Sequence, residues 1–142
     1  MRIQAYLRIL SDENTIRAFE KEASVSNASI KRLKAPSGLL GNEWWWNWQT
    51  AKISIDTDNP DEGLRTLLHA HRPIFPIIKK YQRLEADVYL EVVTQYEKGE
   101  EPRGLYLSSE TIELLAEMGG ALDNDVVPVV GESHAGDLLP EF

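Results

Sequence analysis

The chain has no cysteine, which excludes a disulfide framework, a thiolate metal site and a cysteine nucleophile together. It has no long apolar run, and it opens on Met1, Arg2, Ile3 and Gln4 with apolar and polar residues already alternating, so neither a membrane span nor a signal peptide is expected. A glycine-rich phosphate loop is also lacking. Gly38 and Gly41 run into Glu43 and a row of tryptophans, the wrong chemistry for cradling an anion. No serine stands in a nucleophile elbow. His69 and His71 are two apart on a helical stretch, hence roughly 200° apart around its axis, and cannot both ligate one ion. His71 lies on a leucine stripe and reads as a bonded core histidine; His134, beside Ser133, stands where nothing fixes its geometry. The 142 residues are 42% hydrophobic and 27% charged, the profile of one ordinary globular domain. A chain this long buries roughly 68–70% of its unfolded surface and needs no staple.

Cations are missing from the end of the chain. All 15 Lys and Arg, and 15 of the 23 Asp and Glu, lie in residues 1–103, so the whole net charge of −8 falls after Arg103. Glu110, Glu113, Glu117, Asp123, Asp125, Glu132, Asp137 and Glu141 carry it. Such a field attracts a basic protein and repels phosphate backbones, which argues against nucleic acid as a partner. A solvated acidic surface that aids solubility is the simpler alternative.

Ile3, Ala5, Leu7 and Ile9 alternate with Arg2, Gln4, Tyr6 and Arg8, the period of a strand with one buried face. Ser11 or Asp12 then caps a helix that buries Ile16, Phe19 and Ala23 and ends near Ser24 to Asn27. Ser29 to Lys34 is a weaker strand candidate, and Trp44 to Ile55 a clear strand. Asn59, Pro60 and Glu62 start a second helix with Leu64, Leu67 and Leu68 on its stripe, broken near Arg72 because Pro73 and Pro76 cannot both sit inside it. Val88 to Val93, apolar on both faces, reads as an interior strand. Gly104 to Leu107 reads as a short strand. Ser108 or Ser109 caps a helix carrying Ile112, Leu115 and Ala116 that stops at Gly119, and Asp123 to Val130 is a last strand whose Pro128 belongs at a sheet edge. The order βαββαββαβ predicts an α+β fold over residues 1–130, with a mainly antiparallel sheet and the helices on one face. Its first half resembles a split βαβ (ferredoxin-like) plait. Residues 131–142 read as a mobile acidic tail.

The block from Gly104 to Val126, a glycine-led strand, a helix capped at Ser108 or Ser109 and closed at Gly119, then the Asp123-Asn124-Asp125 strand, resembles the bacterial family catalogued as domain of unknown function 4279. Trp48, the apolar helix Leu64 to Leu68 and the strand Val88 to Val93 match more loosely. The resemblance implies an α+β fold and a bacterial cytoplasmic setting, and no agreed activity.

The least ordinary feature is Trp44-Trp45-Trp46-Asn47-Trp48. In a regular strand, Trp44, Trp46 and Trp48 share a side with Thr50, Lys52 and Ser54, while Trp45 joins Ala51, Ile53 and Ile55. Three tryptophans on the polar side form an aromatic binding surface; alternatively, a bulge near Asn47 reverses the parity, or a loop or helix covers them. Asp123 and Asp125 point to one side of their strand and suit a partner's arginine, an internal bond to Arg2 or Arg8, or plain solvation. With only Asn124 between them and no histidine nearby, they are a weak metal signal, and no metal or cofactor is expected.

The reading these features favour is a non-catalytic protein-binding domain, an immunity or antitoxin-type inhibitor that masks a basic toxin or enzyme through Trp44, Trp46, Trp48, Glu110, Glu113, Glu117, Asp123 and Asp125. The alternatives are a small-ligand binder or small enzyme using the tryptophan surface with Asp123, Asp125 or His71, and a subunit that self-associates through the tryptophan strand.

Overall fold

A computed structural model describes residues 1–34, 44–101 and 103–129. Strand β1 (Arg2–Ser11) sends Ile3, Ala5, Leu7 and Ile9 into the core and its alternate residues to the opposite face. Helix α1 (Glu13–Ala23) starts at Asp12, whose carboxylate accepts the Thr15 N–H at 2.8 Å, and buries Ile16 and Phe19. Strands β2 (Ser29–Lys34), β3 (Trp44–Gln49) and β4 (Ile53–Ile55) follow. Helix α2 (Pro60–His71) begins as the Asn59, Pro60, Glu62 pattern requires. Asn59 accepts the Glu62 N–H at 3.4 Å and its amide donates to the Glu62 carboxylate at 3.0 Å, so the reciprocal bond runs between the two side chains. The prolines set the break: a single 3-10 turn at Arg72–Ile74 separates α2 from α3 (Phe75–Gln82). Strand β5 (Asp87–Tyr96), helix α4 (Ser109–Met118) and strand β6 (Ala121–Pro128) complete the order.

The six strands form one sheet in the order β2-β3-β1-β5-β6, with β4 beside β1. All pairs are antiparallel except β5 with β6, which α4 connects as a crossover. Because β3 lies between β1 and β2, the first half is a split βαβ unit. All four helices contribute side chains to one core cluster with Ile3, Ala5, Leu7, Ile9, Val88, Leu90 and Val92, so they share one face of the sheet. Its aromatic centre is Phe19, edge-on to Trp48 at 4.8 Å and to Tyr81 at 5.4 Å.

Three expectations are corrected. The stretch from Trp44 to Ile55 is two strands, separated by Thr50, Ala51 and Lys52. Register shows why: Arg8 pairs with Gln49 but Ala5 with Ile53, which leaves one residue more on the returning strand than β1 can match. Gly104 to Leu107 is not a strand. Leu105 and Leu107 pack on the core, and the Ser108 N–H bonds the Asp61 carboxylate at 2.8 Å, which anchors the segment to α2 instead of to a ladder. Helix α4 buries Thr111, Leu114 and Met118, one residue round from the expected stripe, and leaves Ile112 exposed. The predicted tail at 131–142 and His134 lie outside the described residues.

Helix α4 ends at Gly119, with φ 81° and its carbonyl accepting the Gln82 side-chain amide. A Cβ there would strike Gln82, and the left-handed backbone disfavours any L side chain. Gly119→Ala is expected to lower stability by about 1–2 kcal/mol. Gly104→Ala, with open space around its Cβ, is expected to leave the urea midpoint unchanged. Equal midpoints for the two variants would show that neither the backbone nor the Gln82 contact matters.

Candidate functional site

The sheet face turned away from the core cluster carries the chemistry. Its centre is built by register: Tyr6 of β1 sits opposite Glu91 of β5, and Glu91 sits beside Asp123 of β6, with Asp125 two residues along. Period two puts all four on one face. Carboxylate oxygens of Glu91, Asp123 and Asp125 lie within 4.8 Å of one another. Glu91 is fully buried, and its Oε1 meets Arg8 Nη1 at 3.3 Å. Glu91 shares a side-chain hydrogen bond with Asp123, whereas the hydroxyl of the buried Tyr6 has no hydrogen-bond partner among the described residues. Alongside, Asn47 donates to Gln49 at 2.9 Å, while Arg8 and Lys52 lie over the rings of Tyr89 and Tyr6.

Burial pushes the Glu91 carboxyl up to about 9, the hydrogen bond it shares with Asp123 and the charges of Asp123 and Asp125 push the same way, and Arg8 opposes them. Burial, then the charge of Glu91, raises the Tyr6 hydroxyl as well. Glu91 escaped the reading of the sequence, which treated Val88 to Val93 only as an apolar strand. The signal was there: a carboxylate in the middle of an interior strand must find compensation.

The tryptophans take the reverse parity to that expected of a regular strand. Trp48 has no exposed surface and packs in the core, and Trp46 is half-buried on the same side, with the Arg17 guanidinium 5.1 Å from its ring centre. Among the described tryptophan side chains, Trp45 is the exposed one, at 37%. The parity change that separates it from Ile53 and Ile55 comes at Thr50–Lys52, not at Asn47. Trp44 continues β3, and its side chain lies outside the described residues.

The acidic residues of α4 do not form an uncompensated field. Glu110 lies 3.8 Å from Arg65 and 3.6 Å from His69, and Glu117 pairs with Arg72 at 3.1 Å. Glu113 is exposed, and Asp123 and Asp125 are half-buried beside Glu91. His71 bonds the Leu67 carbonyl through Nδ1 at 3.0 Å, as a structural histidine does.

At one end of the same sheet face, Leu10, Ser11, Asp12, Trp45, Leu84, Glu85 and Asp87 line an open groove of about 320 Å³. Leu84 is 57% exposed, and Glu85 holds a left-handed backbone at φ 69°. No Lys or Arg is among the lining residues.

The raised carboxyl of Glu91 predicts a pH dependence of stability. Between its ordinary 4.5 and about 9 the folded chain keeps a proton that the unfolded chain releases, so this contribution is full at low pH and is lost as pH rises through that window. Denaturation midpoints are expected to fall across the window, and Glu91→Gln is expected to flatten that slope. An identical slope in the variant would remove Glu91 as its source.

The family model described as "Domain of unknown function (DUF4279)" matches residues 1–128. No curated protein and no solved structure matches the chain. No helix among the described residues is long and apolar enough to cross a membrane. With residues 1–128 of 142 covered, the chain belongs to the DUF4279 family.

Proposed function

We propose that this chain is a non-catalytic protein-binding domain, an inhibitor of the immunity or antitoxin kind that masks a basic toxin or enzyme, and that it docks through the groove at Trp45. One observation carries the reading: an exposed tryptophan and an exposed leucine converge on a groove whose charged residues are Asp12, Glu85 and Asp87. Tryptophan in a groove makes a rigid apolar anchor, and the carboxylates around it select a partner that brings lysine or arginine beside an apolar side chain. Asp12 also caps α1, so the carboxylates of Glu85 and Asp87 have the greater freedom to receive such cations. A bacterial cytoplasmic setting goes with this reading, and the absence of cysteine is in keeping with it.

The docking surface differs from the one the sequence favoured. Trp45 replaces Trp46 and Trp48 as the anchor, and Glu110 and Glu117 are engaged by cations of their own chain. With a partner in hand, Trp45→Ala is expected to weaken binding by about 2 kcal/mol or more. The pair Glu85→Gln and Asp87→Asn is expected to slow association and reduce its salt dependence, while Glu113→Gln with Glu117→Gln leaves both as in the wild type. Surface-plasmon kinetics at two salt concentrations checks all three. Unchanged affinity in Trp45→Ala would overturn the docking site.

A further inference from the structure

We propose that Glu91, Asp123 and Asp125 form a site for a divalent cation of the calcium class, with the Tyr6 hydroxyl serving its ligand shell. The site is separate from the Trp45 groove, and its fate does not decide the docking proposal.

Three carboxylates from two neighbouring strands bring one oxygen each within 4.8 Å of the others. Oxygens on opposite sides of a calcium ion stand about 4.6–5.2 Å apart, and neighbouring ones stand closer, so this spread suits calcium without rearrangement of the strands. Magnesium draws its ligands in to about 2.0–2.1 Å and demands a stricter octahedron, which fits the spread less well. The donors are all hard oxygens, the set that calcium, manganese and magnesium favour over zinc or copper.

A group of acids alone would say little, because exposed carboxylates often gather without a ligand. Here a neighbour points to one. Tyr6 is 1% exposed, on the same face as Glu91 and directly opposite it, and its hydroxyl has no hydrogen-bond partner among the described residues. The charges of Asp123 and Asp125 both act on that hydroxyl. A buried hydroxyl without a partner is costly to keep, and an ion with bound water at the acidic cluster supplies the missing bond. Arg8 holds Oε1 of Glu91, and a bound cation takes the place of the proton that Glu91 shares with Asp123. Asp123 and Asp125 are half-buried on the outer strand β6, which gives the ion a path from solvent.

The test uses the full chain, freed of metal with a chelator and then dialysed. Terbium(III), excited through the protein's aromatic residues, reports an ion close to Tyr6, and calcium titration calorimetry gives the affinity. The expected result is saturable, single-site terbium emission that calcium displaces, together with a calcium-dependent rise in unfolding temperature. Asp123→Asn and Asp125→Asn are each expected to weaken calcium binding by more than about tenfold while the metal-free unfolding temperature stays near that of the wild type. Tyr6→Phe is expected to weaken it about tenfold, as loss of an outer-shell partner does, and Glu113→Gln to leave it unchanged. Absence of saturable emission and of any thermal shift at millimolar calcium in the wild type would overturn the site. So would wild-type affinity in Asp123→Asn and Asp125→Asn, since the ion would then sit elsewhere.

Discussion

Leu7 meets Thr50 twice: the Thr50 N–H donates to the Leu7 carbonyl at 3.0 Å, and the Thr50 hydroxyl accepts the Leu7 N–H at 3.0 Å. This clamp holds the point at which one returning strand gains a residue on the central strand, and the faces of the sheet depend on it. Before the clamp, Trp48 pairs with Ile9 and enters the core; after it, Ile53 and Ile55 pair with Ala5 and Ile3 and also face inward. Without the extra residue, period two would bury either the tryptophan or the isoleucines and turn the other set outward. With it, both sets lie under the helices, and Trp45, Asn47 and Gln49 join Tyr6 and Arg8 on the opposite side.

Local chemistry made much of the fold legible. The alternation around Ile3 to Ile9, the capping residues Asp12, Asn59 and Ser108, the proline break at Arg72 and the glycine stop at Gly119 each act within a few residues, and each element stands where those signals put it. What was not legible depends on partners distant in the chain. A one-residue insertion at Thr50–Lys52 has no composition of its own, so the tryptophan parity followed a regular strand. Gly104 to Leu107 has strand-like residues, but it joins no ladder, and the Ser108 N–H that follows it bonds Asp61 on α2. The carboxylate cluster depends on β5 and β6 lying side by side in parallel, and only this pairing places Glu91 against Asp123.

The electrostatics follow the same division. A count along the chain assigns the whole negative charge to the last quarter, yet folding redistributes it. Two α4 glutamates return to Arg65, His69 and Arg72 on the end of α2 and the turn after it. Asp123 and Asp125 instead stand against a buried Glu91 that keeps its proton, so their charge lies where water is scarce. Charge that looks like a block in sequence becomes a cross-linked helix face on one side of the sheet and a dense polar centre on the other.

The two margins of the sheet carry opposite signs. At one end β2 presents Lys31, Arg32 and Lys34; at the other β6 presents Asp123 and Asp125 and stops at Pro128, which has no N–H to offer. An open strand is a template on which another chain can extend the ladder. When two molecules approach margin to identical margin, cation meets cation or carboxylate meets carboxylate, and the growth of a continuous intermolecular sheet is opposed at its first step.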